Sequence, residues 1–227
     1  GPQEDFERYP RNFAQDRQLC QRAGVDIIFH PPPESMYATD HSVLVDEILI
    51  SRSLCGAARP GHFQGVLTVI AKLFNLVLPQ TAIFGQKDAQ QSRLIQKMVR
   101  ELNWPLRIIT APIIREPDGL ALSSRNSYLS KQERQEARCL VQSLQLARGL
   151  YRGGERHAQR IIAAITQNIQ AVNSAVIDYV EVVDDATCQP VATLEGAVLI
   201  ALAVRIGGTR LIDNLMLPDD QLCQIPE

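Results

Sequence analysis

A lysine and an aspartate stand side by side where an apolar run gives way to a helix-like pattern, in the segment FGQKDAQQ. Lys87 and Asp88 follow Gly85, which has no side chain to keep a ligand from the backbone. A helix N-terminus with a lysine beside it is an anion site. We expect this segment to bind phosphate. The alternative is that Lys87 is solvated and that Asp88 only caps the helix.

Two glutamines, Gln90 and Gln91, follow the Lys–Asp pair directly. Adjacent residues of a helix do not share a face, so one of the two is expected to look toward the end of the preceding strand. A glutamine at that place can hydrogen-bond a polar substrate. The alternative is simple exposure to solvent.

A second polar segment, DGLALSSRN, begins with an Asp-Gly turn signal and continues with Ser123, Ser124 and Arg125. Two hydroxyl groups and a guanidinium fork with five donors suit the binding of a phosphate on a loop. The alternative is that the segment is a polar linker in front of the next helix. If both polar segments follow neighbouring parallel strands, together they favour a nucleotide triphosphate site.

A third segment, RPGHFQGV, carries Arg59 and His62 ahead of a helix. His62 is a candidate for orienting a substrate or for acting as an acid, and the alternative is a structural histidine. The sequence contains no G-x-x-x-x-G-K-[ST] and no G-x-G-x-x-G, so it has neither a P-loop nor a dinucleotide fingerprint.

The composition is that of an ordinary soluble globular protein. Of the 227 residues 45% are apolar and 21% charged, and the net charge is −2, which gives no electrostatic reason to expect a nucleic acid or a membrane surface as partner. No apolar run approaches the roughly 20 residues of a membrane helix. The five cysteines are scattered and form no C-x-x-C, so the composition favours a reducing, cytoplasmic location.

The first half of the chain alternates apolar runs with helix-like patterns. The patterns predict strands at 25–29, 42–48, 81–84 and 106–114, helices at 12–22, 66–77 and 88–103, and a loop at 54–65. Such alternation with short connections indicates an α/β fold with a parallel sheet. Because ligands bind at the carboxyl ends of parallel strands, the polar segments that follow these strands are expected to form the site.

The second half predicts a smaller α+β unit. Ser130 and Glu133 have the spacing of a capping box, which opens a helix predicted to run to about Leu150. A second helix is predicted from about Glu155 to Asn173. The β-rich runs that follow are 176–184, 197–207 and 209–217. The expected units are residues 1–114, residues 115–217 and a tail or linker at 218–227.

Five segments, in this order, resemble the pantothenate synthetase (pantoate–β-alanine ligase) family: EDFERYPR, GHFQGV, FGQKDAQQ, REPDGLALSSRN-YLS and TRLIDN. The resemblance covers nearly the whole chain, and KDAQQ with GLALSSRN is highly specific. It implies a Rossmann-like nucleotidyltransferase (HUP) sheet, a C-terminal lid domain, a cytoplasmic homodimer, and ATP with Mg²⁺. It also implies a reaction in which pantoate and ATP form pantoyl adenylate and pyrophosphate, after which the amine of β-alanine gives pantothenate and AMP.

The resemblance further assigns roles to the polar segments. The residues implied to contact ATP are Gly85, Gln86, Lys87, Asp88, Ile114, Leu122, Ser123, Ser124 and Arg125. Those implied to stabilise charge during catalysis are Lys87, Ser123, Ser124 and Arg125. Within this set, Asp88 is expected near the ribose or the metal ion, and the backbone of Ile114 near the adenine. Gln91 and His62 are the expected substrate-binding residues. Gln86 stands where the family often has glutamate, a change expected to be mild.

The family also has a strand, a histidine-bearing loop of the MGALHEGH type, and a pantoate-binding asparagine and glutamine ahead of the matched part. We therefore expect an N-terminally incomplete enzyme and a chain that is inactive alone. The segment 218–227 is a candidate linker to a cytidylate kinase of a bifunctional protein. The alternatives are a non-catalytic nucleotide-binding module with a regulatory or assembly role, and a structural fragment that does not bind ATP.

Overall fold

A computed structural model of the chain describes Tyr9 and residues 11–218. The helices are α1 Phe13–Arg22, α2 Pro33–Met36, α3 Leu54–Ala58, α4 His62–Val77, α5 Ala89–Glu101, α6 Lys131–Ala137, α7 Cys139–Arg152 and α8 Ala158–Gln170. The strands are β1 Thr81–Gly85, β2 Arg107–Ala111, β3 Ala175–Asp184, β4 Val198–Ile206 and β5 Thr209–Leu217. The predicted tail lies outside the described residues except for Pro218.

Strands β1 and β2 form a parallel pair, with Thr81 opposite Arg107 and Gly85 opposite Ala111. Helix α5 connects them, and Phe84 joins a core cluster with residues of α4 and α5. Strand β2 ends at Ala111, earlier than predicted, because Pro112 has no N–H to continue the ladder. This layer confirms the predicted α/β class and brings the ends of both strands to one edge.

The strands predicted at 25–29 and 42–48 are wrong, because the structure contains irregular backbone there. Ile27 and Val43, which a sheet would have covered, are 81% and 83% exposed. A strand needs a neighbour to pair its backbone groups, and neither segment pairs with a strand among the described residues. The apolar pattern alone did not specify that neighbour.

The loop predicted at 54–65 is also wrong, because α3 and the first turn of α4 lie within it. Gly56 belongs to α3, where a Cβ atom would come within 1.8 Å of the carbonyl oxygen of Ser51. This glycine permits close packing rather than ending a helix. Gly61, with φ of 77°, adopts the left-handed conformation immediately before α4.

The second half contains the predicted antiparallel sheet, in the order β3–β4–β5. Alternate residues of β4 pack on opposite sides: Ile200 belongs to the core cluster with α7 and α8, and Leu199 to the cluster with α4 and α5. The sheet therefore lies between helices α7 and α8 on one side and helices α4 and α5 on the other. The unit limits 1–114 and 115–217 remain a prediction.

The capping box before α6 is confirmed, since Ser130 Oγ accepts from the Glu133 N–H at 3.2 Å and Glu133 Oε2 accepts from the Ser130 N–H at 2.8 Å. The single long helix predicted from this point is instead two helices separated at Arg138. The Arg138 N–H donates to the Gln135 carbonyl, a three-residue bond that tightens the turn. Within the described residues, no helix is long and apolar enough to cross a membrane.

Candidate active site

The turn between β1 and α5 forms one wall of the candidate site. Strand β1 ends at Gly85, and one 3₁₀ turn, Gln86–Asp88, leads into α5. Lys87 is half-buried and Asp88 is exposed. Asp88 occupies the cap position of α5, yet its side chain makes no capping hydrogen bond. Its carboxylate is therefore not used in the way that the capping alternative required.

Gln86 faces away from this wall. Its side chain is fully buried: Nε2 donates to Asn214 Oδ1 at 3.0 Å, and Oε1 accepts from Arg93 Nη1 at 2.6 Å. The sequence-based expectation that Gln86 contacts ATP is therefore restricted to its backbone, because the side chain is bound within the protein core.

The two adjacent glutamines have different environments. Gln90 is 5% exposed, and its Nε2 donates to the carbonyl oxygens of Ile50 at 2.7 Å and Ser53 at 2.8 Å. Its Oε1 accepts from the Cys55 N–H at 3.0 Å. Gln91 is half-buried and lines a cleft at the end of β1. Gln90 thus holds the preceding loop, and Gln91 remains the candidate for contact with a substrate.

Two adjoining clefts meet at Lys87 and Asp88. We call them the α5 cleft, which Gln91 lines, and the loop cleft, which Ser123 and Arg125 line. Both are lined by Arg59, Lys87, Asp88, Ile212 and Asp213. Because these residues are shared, the two clefts are immediate neighbours.

The loop cleft brings the two phosphate-binding candidates together. Ser123 and Arg125 line it with Lys87 and Asp88, as expected from their positions after neighbouring parallel strands. Ser123 Oγ accepts from the Arg125 N–H at 3.3 Å and starts a 3₁₀ turn. Lys87 and Arg125 therefore line the same cleft, which brings two cationic side chains to it.

Tyr9 packs over the serine–arginine loop. Ser124 Oγ donates to Tyr9 Oη at 3.0 Å, and the Arg125 guanidinium carbon lies 5.6 Å from the centroid of the Tyr9 ring. The ring face attracts the cation and helps to fix the loop. Ser124 is consequently engaged with Tyr9, and it is not among the residues that line the loop cleft.

Ile114 and Leu122 are not brought to either cleft. Their side chains are 64% and 55% exposed, and the Leu122 N–H donates to the Ile114 carbonyl at 2.8 Å. This bond closes the hairpin that carries the second polar segment. The expected contact of the Ile114 backbone with adenine stays a prediction.

His62 lies at the start of α4 and lines the α5 cleft. Arg59 Nη1 donates to His62 Nε2 at 2.7 Å. Arg59 also borders the loop cleft. The pair can present a fixed polar edge to a substrate in the α5 cleft.

The sequence analysis missed several residues of the site, although it quoted the segment TRLIDN that contains three of them. Arg210, Asp213 and Asn214 all line the clefts. Arg210 Nε donates to Asp178 Oδ2 at 2.7 Å, which orients its guanidinium. Tyr179 lines the α5 cleft, and its Oη lies 3.1 Å from Cys55 Sγ. Burial raises the pKa of the Tyr179 phenol, so the phenol stays neutral.

The acidic groups of the clefts bear on whether a divalent cation can bind there. The described residues include no group of three or more histidine, cysteine, aspartate or glutamate side chains that could hold a metal ion. Asp88 nevertheless offers an exposed carboxylate to the shared part of the clefts. Mg²⁺ commonly binds through one or two carboxylates together with substrate phosphates and water. The residues therefore fit a magnesium ion that arrives with a phosphate ligand.

A parallel strand that leads into a helix N-terminus, with two cationic side chains lining the cleft beyond it, is typical of α/β proteins that bind phosphate. The sequence model described as pantoate-beta-alanine ligase matches residues 1–216. The chain belongs to this family.

Curated relatives support the assignment. The chain is 52% identical over 217 residues to the pantothenate synthetase of Thermotoga petrophila, covering 96% of this chain and 78% of that protein. It is 50% identical over 221 residues to that of Geobacter sulfurreducens, covering 97% and 78%.

Solved structures agree with the fold. The crystal structure of pantothenate synthetase from Thermus thermophilus matches with a TM-score of 0.91 and 42% identity, covering 95% of this chain and 78% of that one. The pantoate-beta-alanine ligase from Francisella tularensis, solved in complex with beta-gamma ATP and beta-alanine, matches with a TM-score of 0.73 and 29% identity. It covers 93% of this chain and 72% of that one.

Proposed function

We propose that these residues serve the ATP-dependent condensation of pantoate with β-alanine. The pantoate carboxylate attacks the α-phosphorus of ATP, forming pantoyl adenylate and releasing pyrophosphate. The β-alanine amine then attacks the acyl carbon, AMP leaves, and the amine loses a proton. The observation that carries the proposal is the convergence of Lys87, Ser123 and Arg125 on one cleft at the end of β1, in a chain of this family.

The first step is supported by the charge of the loop cleft. Attack on the α-phosphorus increases negative charge on the phosphoryl oxygens and on the leaving pyrophosphate. Lys87 and Arg125, which both line this cleft, stabilise that charge. Mg²⁺, when bound, neutralises phosphate charge, and Asp88 is the carboxylate placed to hold it.

The acid to be activated is assigned to the α5 cleft. Gln91 offers an amide to the pantoate, and the Arg59–His62 pair offers a second polar edge. Leu199, Ala201 and Ile212 of the antiparallel sheet form an apolar wall on the other side. Such a wall limits the access of water to the acyl adenylate, which would otherwise hydrolyse.

Two proteins test the proposal side by side. One is the 227-residue chain, and the other is a chimera in which this chain replaces the matching part of the Thermotoga petrophila relative. Each is incubated with ATP, Mg²⁺, pantoate and β-alanine, and products are quantified by mass spectrometry. We expect the chimera to form pantothenate, AMP and pyrophosphate in equal amounts. Formation of ADP and phosphate, or no product from a folded chimera whose parent relative is active, would contradict the proposal.

The same assay tests the remaining expectations. ATP binding without turnover by the chimera would favour the non-catalytic module instead. Light scattering of the unmodified chain tests the homodimer implied by the family, and a fluorescent fusion tests the cytoplasmic location.

A further inference from the structure

Two adjacent residues of β5 reach opposite sides of the antiparallel sheet. Asp213 and Asn214 follow each other in a strand, where successive side chains point to opposite faces. Both are 3% exposed. Each is bound to one of the two phosphate-binding segments, and the sequence analysis assigned a function to neither.

Asn214 holds the lysine segment. Its Nδ2 donates to the carbonyl oxygens of Gln86 and Lys87, both at 3.0 Å. Its Oδ1 accepts from Gln86 Nε2 at 3.0 Å. One side chain thus fixes two consecutive peptide groups of the turn that carries Lys87. Arg93 Nη1 supports the arrangement from α5 by donating to Gln86 Oε1 at 2.6 Å.

Asp213 holds the serine–arginine segment from the other face. Its two oxygens accept from Arg115 Nη1 at 2.7 Å and Nη2 at 2.9 Å. Arg115 Nη1 also donates to the Gly119 carbonyl at 3.0 Å. Arg115 pairs with Ala121 in an antiparallel bridge, so this contact closes the hairpin that leads directly to Ser123 and Arg125.

Strand β5 is a suitable base for both contacts. It pairs with β4 in an unbroken register from Val198–Leu217 to Ile206–Thr209. A strand that is paired with its neighbour along its whole length moves little, so side chains that it carries are held in position.

We propose that Asp213 and Asn214 are positioning residues that together set the spacing between the two phosphate-binding segments across the loop cleft. Asn214 acts on Lys87 through the backbone, and Asp213 acts on Arg125 through Arg115 and its hairpin. The significance of this spacing for ATP rests on the proposed function. The anchoring itself is a property of the chain without ligand, and it is tested separately.

The first experiment measures amide hydrogen exchange by mass spectrometry on the 227-residue chain without ligand. Asn214→Ala is expected to accelerate exchange in the 86–91 segment at least tenfold and to leave the 119–126 segment unchanged. Asp213→Asn is expected to accelerate exchange in the 119–126 segment and to leave the 86–91 segment unchanged. Asn168→Ala is a matched control, because Asn168 Nδ2 donates to Ser143 Oγ at 2.9 Å in another part of the structure. Equal exchange of 86–91 in Asn214→Ala and the unmodified chain would overturn the proposal.

Asn214→Ser is the second variant if Asn214→Ala does not fold, because the shorter hydroxyl cannot reach both carbonyl groups. The same acceleration of 86–91 is expected in this variant. Its absence in folded protein counts against the proposal in the same way.

The second experiment measures the Kd of Mg·ATP by calorimetry in a double-mutant cycle. Asn214→Ala is expected to weaken binding about tenfold. The same change is expected to have no further effect in a Lys87→Ala background, and to keep its full effect in an Arg125→Ala background. A merely structural defect would weaken binding equally in both backgrounds, and that result would overturn the positioning role. The cycle is measured on the chimera, and failure of the unmodified chimera to bind ATP would contradict the proposed function, while the exchange experiment would still decide the anchoring.

Discussion

The guanidinium group of Arg115 meets both carboxylate oxygens of Asp213, at 2.7 and 2.9 Å. The two side chains are only 6% and 2% exposed. This bidentate pair joins the loop after β2 to strand β5. A pair in this position both stabilises the fold and determines where the serine–arginine loop lies.

Removal of one partner is expected to leave the other charge buried without compensation. We predict that Arg115→Ala and Asp213→Ala each lower the free energy of unfolding by about 3–5 kcal/mol, measured by urea denaturation. Arg100→Ala is the matched control, because Arg100 pairs with Glu101 at the surface, and the expected loss is below about 1 kcal/mol. Similar losses in the buried and the exposed variants would contradict this account.

Lys87 is expected to act on the ligand and not on the fold. We predict that Lys87→Ala in the chimera lowers kcat/KM by about 10²–10³-fold, a loss typical of one group that stabilises transition-state charge. The free energy of unfolding should change by less than about 0.5 kcal/mol, since Lys87 is half-buried at a cleft. Lys131→Ala, at the exposed start of α6, is the control and should leave both quantities unchanged.

The neighbouring glutamines provide each other's control. Gln90→Ala leaves the carbonyl groups of Ile50 and Ser53 without their donor, so we predict a loss of about 1–3 kcal/mol in unfolding free energy. Gln91→Ala should retain stability and raise the KM for pantoate. A stability loss in Gln91→Ala as large as that in Gln90→Ala would contradict the assignment of Gln91 to the substrate.

Glu116 is expected to contribute to the acid sensitivity of the second polar segment. Hydrogen bonds from Arg134 at 2.5 Å and Asn126 at 2.6 Å hold the pKa of Glu116 below its ordinary value of 4.5. A carboxylate with a lowered pKa stabilises the fold above its unfolded-state pKa, and this contribution is lost as the pH falls through the folded-state pKa.

We therefore predict that Glu116→Gln makes the loss of stability below pH 4.5 less steep, as measured by urea unfolding at a series of pH values. Arg134→Gln, which removes the same ion pair from the other side, should make the same part of the curve less steep. If the pH dependence of the unfolding free energy is unchanged in both variants, the Glu116–Arg134 pair does not contribute to acid sensitivity and the prediction is contradicted.

The strong local patterns predicted much of the fold. Strand β1, strand β2 and the three strands of the antiparallel sheet formed where alternation or apolar runs placed them. The segments 25–29 and 42–48 have similar apolar character but no paired strand among the described residues. Pairing depends on residues distant in sequence, and for that reason the pattern of one segment could not determine it.

One part of the candidate site was predicted from local patterns. The other part depends on contacts between residues that are distant in sequence. The convergence of Lys87 with Ser123 and Arg125 followed from the rule that parallel strands present their carboxyl ends at one edge. The inward orientation of Gln86 and the contacts of Asn214 depend on a strand more than a hundred residues away. No local spacing in the sequence indicates such a contact.

The most direct test of the central claim is the exchange of labelled pyrophosphate into ATP by the chimera, because exchange reports the adenylate-forming step alone. We predict exchange that requires pantoate, proceeds without β-alanine, and falls by about two orders of magnitude or more in Lys87→Ala. Exchange that does not depend on pantoate, or that appears only when β-alanine is added, would contradict the account.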